Sequence, residues 1–89
     1  MGVFKSIDRA TVNGHEIDVH TDSLSAQIRL YVDGELRDMK TWYGGRYVLL
    51  ANLDGKKLEV QIRQRLLGFV KSEVWAVWDG GHIQFRQVE

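Results

Sequence analysis

The chain has 89 residues, 44% of them apolar and 27% charged, with twelve basic side chains balancing twelve acidic ones. That length holds one domain with a modest core, and the balance leaves no overall field that would draw nucleic acid or an anionic membrane. Cysteine is absent, which excludes disulfides, thiolate nucleophiles and Cys-ligated zinc; proline is absent too, which suits strands whose N–H groups are all wanted in ladders.

Val3 to Val12 form the first predicted strand. Val3 and Ile7 share one parity while Phe4, Ala10 and Val12 share the other, so a bulge within Ser6 to Arg9 is expected to switch the face. Asn13-Gly14 turns the chain into His15 to His20, where Ile17 and Val19 alternate with Glu16, Asp18 and His20. After the polar link Thr21 to Ser25, Ile28, Leu30 and Val32 alternate with Gln27, Arg29 and Tyr31. Asp33-Gly34 then folds this strand onto Glu35 to Trp42. An Asx-Gly pair between two such runs is a strong hairpin signal, because a type I′ turn needs positive φ at both central residues.

Trp42 to Arg46 link this hairpin to Tyr47–Leu53, whose run Tyr47-Val48-Leu49-Leu50-Ala51 is almost continuously apolar. Such a run predicts a strand covered on both faces or lying at the centre of the core. Asp54-Gly55 leads into Leu58, Val60 and Ile62, alternating with Lys57, Glu59, Gln61 and Arg63. Gln64 to Gly68 reads as a loop or a single helical turn. Phe69 to Trp78 is a seventh strand that sets Trp75 and Trp78 on opposite faces, and Asp79-Gly80 turns it into an eighth, His82 to Val88. The expected fold is all-β: one domain over residues 1–89, an antiparallel β-sandwich of about eight strands built from four consecutive hairpins. Such a sandwich leaves edge strands that must be protected or used.

No catalytic constellation stands out. No serine lies in a GxSxG elbow, and no helix follows Gly44-Gly45 or Gly80-Gly81 to hold a phosphate. His20, Asp18 and Asp22 lie two apart on one strand face, but neither HxH nor HExxH spacing occurs, so they read as solvated polar residues. No enzyme activity, metal or cofactor is expected. No apolar run of signal-peptide or membrane-span length follows Met1, and the expected location is the cytoplasm, without membrane contact.

The run His15-Glu16-Ile17-Asp18-Val19 and the hairpin Arg29-Leu30-Tyr31-Val32-Asp33-Gly34-Glu35 lead to a charged strand ending in Trp42. Tyr47-Val48, Leu58-Glu59-Val60-Gln61-Ile62 and Gly68-Phe69 follow. Over about residues 14 to 80 this pattern resembles the Fas apoptotic inhibitory molecule domain. The resemblance implies an antiparallel β-sandwich, soluble and non-enzymatic, that works through protein contacts. The animal protein carries two such sandwiches and this chain one, so the fold and the lack of a catalytic site carry over, and the cell-survival role does not.

Three tryptophans exceed what so small a core absorbs, and exposed Trp and Tyr are the usual anchors of interaction surfaces. The leading expectation is therefore a protein-interaction module with Tyr31, Trp42, Tyr43 and Trp75 as contact residues and an unnamed protein partner. Self-association through an edge strand is the form an oligomer would take. The alternative is a single-stranded nucleic-acid binder in which Lys57, Arg63 and Arg65 neutralise phosphates and nearby aromatics stack on bases. Glu59 interrupts that stripe, and the alternation of Lys and Glu also reads as an ordinary solvated sheet face.

Overall fold

A computed structural model describes residues 5–22, 27–41, 45–64 and 73–88, which form strands and turns only. One sheet holds β1 (Lys5–Val12), β2 (His15–Asp22), β3 (Gln27–Val32) and β4 (Glu35–Thr41). The other holds β5 (Gly45–Leu53), β6 (Lys56–Gln64), β7 (Glu73–Trp78) and β8 (Gly81–Gln84). A short β9 (Arg86–Gln87) crosses back and pairs with β1, giving orders β4-β3-β2-β1-β9 and β5-β6-β7-β8. Every ladder is antiparallel. The fold is the all-β sandwich of four consecutive hairpins that the sequence predicts.

All four hairpins turn on the Asx-Gly pairs. Asn13, Asp33, Asp54 and Asp79 have φ between 49° and 52°, and the glycines that follow have φ between 76° and 81°. Positive φ at both positions gives the I′ turn, whose twist matches that of the flanking strands. The two-residue loops fix the closing pairs Val12↔His15, Val32↔Glu35, Leu53↔Lys56 and Trp78↔Gly81. Because the strands run in chain order, all four turns gather at one end of the sandwich.

Ile17, Val19, Ile28 and Leu30 of the first sheet interdigitate with Leu49, Leu58, Val60 and Ile62 of the second, all fully buried. Trp78 packs against this core, and its indole N–H donates to the Leu53 carbonyl at 3.0 Å.

Three expectations change. The pairing of β1 with β2 is unbroken from Lys5↔Asp22 to Val12↔His15, so no bulge lies within Ser6 to Arg9. Ile7 simply stands, half-buried, on the outer face. The register shift falls instead on β4, where Leu30 pairs with Asp38 but Tyr31 with Leu36, leaving Arg37 as the extra residue. Second, the apolar run Tyr47 to Ala51 lies on an edge strand, β5, not at the centre of the core. Leu49 is buried while Val48 and Leu50 are exposed, because only one face of an edge strand in a sandwich meets the other sheet. Third, the last predicted strand is broken at Phe85, where the chain leaves one sheet for the other; Phe85 stays packed on the core as the pivot. Phe69 to Ser72 and Arg65 to Gly68 lie outside the described residues.

Candidate functional site

Two regions concentrate side-chain chemistry. At the turn end, one imidazole ties three hairpins together. His15 Nδ1 stands 2.6 Å from Asp33 Oδ2 of the second turn, and Nε2 stands 3.0 Å from Asp54 Oδ2 of the third. Asn13 of the first turn also donates to Asp54, at 2.6 Å. The other Asp33 oxygen accepts the Glu16 backbone N–H at 2.9 Å, and Asp33 N–H donates to Glu16 carbonyl at 2.8 Å. Both ring nitrogens therefore face carboxylates, an arrangement met in full only by the imidazolium, in which both are donors. The hydrogen bond to Asp33 is the main cause raising the His15 pKa above its ordinary value, with Asp54 adding to it. In return the hydrogen bond from His15 is the main cause lowering Asp33, helped by the Glu16 N–H. Lys56 extends the chain of contacts to the fourth turn, pairing with Asp79 at 2.8 Å and lying 5.6 Å from the Trp78 ring centroid. The cluster clamps the two sheets.

The sequence reading placed His15 only beside a turn. Chain-order hairpins bring equivalent Asx positions to one end, and that regularity is the signal from which the cluster was derivable. By contrast, His20, Asp18 and Asp22 do not converge. Asp18 is held by the Arg9 guanidinium at 2.7 and 3.1 Å, and the His20 ring lies 4.5 Å from the Tyr31 ring. Among the described residues no group of three or more His, Asp or Glu side chains is arranged to hold a metal ion. Among the described residues no helix is long and apolar enough to cross a membrane.

The second region is the seam between β4 and β5, the edge strands of the two sheets. Leu36 (49% exposed) and Met39 (47%) stand on the outer face of β4; Val48 (37%) and Leu50 (45%) stand on the outer face of β5. Among the described residues only Val88 joins them as an exposed large apolar side chain. No ladder joins the two strands. Asp38 bridges them: its Oδ2 accepts the Leu50 backbone N–H at 2.9 Å while its Oδ1 accepts Met39 N–H at 2.8 Å. The Arg37 bulge makes this link: the extra residue turns Asp38 from the outer face toward the gap between the sheets.

Of the predicted contact residues that are described, Tyr31 lies on β3 next to β4, and Trp75 lies on β7 with β6 between it and β5. Tyr31 is half-buried on the outer face of the first sheet, opposite Leu36. Trp75 is half-buried on the outer face of the second, in the row Val48–Gln61–Trp75. The two therefore lie on different faces and do not touch a common point. Trp42 and Tyr43 lie outside the described residues. Of the basic stripe, Lys57 pairs with Glu59 at 3.3 Å, Arg63 stands beside Arg46 across the β5–β6 ladder, and Arg65 lies outside the described residues. Val48 and Leu50, which the sequence reading assigned to the core, are the residues it missed.

No family model, curated protein or solved structure matches the chain.

Proposed function

We propose that this chain is a non-catalytic protein-interaction module whose contact surface is the β4/β5 seam. The observation that carries the reading is that, among the described residues, four of the five exposed large apolar side chains, Leu36, Met39, Val48 and Leu50, stand on the neighbouring edge strands β4 and β5. Apolar side chains clustered on an otherwise polar surface mark contact sites. Tyr31, opposite Leu36, adds an aromatic beside the β4 side of the seam, of the kind that such surfaces favour. The likeness to Fas apoptotic inhibitory molecule domains, which rests on the residues quoted above, supports the same reading. A cytoplasmic setting suits a Cys-free chain whose working surface is open strand edge.

Site-specific photo-crosslinking in the native host tests it. A benzophenone side chain at position 50 is expected to give a discrete adduct, and the same group at Thr11, exposed on the outer face of β1, is expected to give none. Equal labelling at both positions, or none at either, contradicts the seam as the contact surface.

A further inference from the structure

The β5 edge has a defined polarity. Leu53 and Lys56 close a two-residue hairpin and form a hydrogen-bonded pair, so Ala51, Leu49 and Tyr47 direct their backbone groups toward β6. Arg46, Val48, Leu50 and Asn52 direct theirs the other way, into the seam. The Leu50 N–H confirms the phase, because its recorded acceptor is the Asp38 carboxylate and not a strand. Asp38 thus occupies the place that a carbonyl of an added strand would take. An unpaired edge that carries exposed apolar side chains on its outer face is a template for a further strand.

Charge narrows the occupant. Arg46 is exposed at the start of β5, with Arg63 opposite it across the β5–β6 ladder. A second copy adding its own β5 would bring no acid to them, since Gly45–Leu53 contains no Asp or Glu.

We infer that the partner docks by adding an extended segment to the seam edge of β5, displacing Asp38 and the stretch of β4 that carries it from Leu50 N–H, with alternate apolar side chains beside Val48 and Leu50 and an acidic residue meeting Arg46. This rests on the protein-interaction reading of the same seam. The arrangement makes Asp38 a removable plug: it caps the edge when no partner is present and competes with the incoming backbone.

The test uses the full chain and three sets of short synthetic peptides: alternating apolar residues with Asp or Glu at one end, the same with Lys in place of the acids, and the acidic set N-methylated at alternate backbone positions. Binding is followed by amide chemical shifts. The acid-ended set is expected to bind and to shift the Val48, Leu50 and Asn52 amides most, the Lys set to bind weakly, and N-methylation of the bonding edge to abolish binding. Asp38→Ala is expected to bind several-fold tighter; if it does not fold, Asp38→Asn shifts affinity the same way by less. Failure of every acid-ended peptide, indifference to N-methylation, or unchanged affinity in both Asp38 variants overturns strand addition. So does a β5-mediated dimer in sedimentation. If a position-50 adduct still forms while the peptides fail, docking at the seam survives and strand addition does not; if both fail, both fall.

Discussion

Leu49 is fully buried and Leu50 is 45% exposed, one residue apart on β5, so truncating each to alanine separates the two faces of the strand. Leu49→Ala removes three side-chain carbons at a fully buried site and is expected to cost about 2–5 kcal/mol by denaturant unfolding. Leu50→Ala is expected to change stability by no more than about 0.5 kcal/mol. Equal costs would contradict the edge placement. Gly34 has φ +81°, and a Cβ built there meets nothing within 4 Å. The cost of Gly34→Val is therefore backbone strain alone, about 1–2 kcal/mol; an unchanged melting temperature would contradict the I′ turn. His15 contributes a pH-dependent part. Its folded pKa is raised, so its contribution is fully present below about pH 6.5, the unfolded imidazole's value, and is lost as pH rises through the folded value. Asp33 is lowered, so its contribution is present above about pH 3.9 and is lost as pH falls through its folded value. The melting-temperature gap between the native chain and His15→Ala is expected to be widest between these limits and to shrink in mild alkali. A gap independent of pH would sink the two-carboxylate clamp.

At the scale of elements, the hairpins were legible because Asx-Gly chemistry is local: positive φ at Asp33 and Gly34 is demanded by the turn whatever surrounds it. The position of β5 was not, because an apolar run looks the same whether its second face meets a sheet or a partner. The β4 bulge was hidden for a related reason. Leu36, Asp38 and Lys40 alternate with Arg37 and Met39 in sequence, and only pairing with β3 reveals that Arg37 is skipped. Deleting Arg37 is expected to restore unbroken pairing with Asp38 still opposite Leu30, so that Asp38 keeps facing the gap and keeps Leu50 N–H. Hydrogen exchange at Leu50 is then expected to be unaltered; faster exchange there would mean that the β3–β4 register does not aim Asp38.

Across the whole molecule the strands follow one another in chain order, with β9 sealing one side against β1 and the seam between β4 and β5 left open on the other. The turn end is locked by His15, Asp33, Asp54 and the Lys56–Asp79 pair, drawn from all four hairpins, and their convergence depends on tertiary assembly and so escaped local reading. Tyr31 and Trp75 were found from composition, yet their placement on separate faces needed the registers of two sheets. Among the described residues, β5 turns its outer edge toward the seam without a ladder partner, with the Asp38 carboxylate as acceptor at Leu50 N–H. Amide hydrogen exchange along β5 of the free chain tests it most directly. Leu49 and Ala51 are expected to be protected, Leu50 partly protected, and Val48 and Asn52 to exchange almost as freely as an unfolded chain. Uniform protection from Val48 to Asn52 would contradict the open edge.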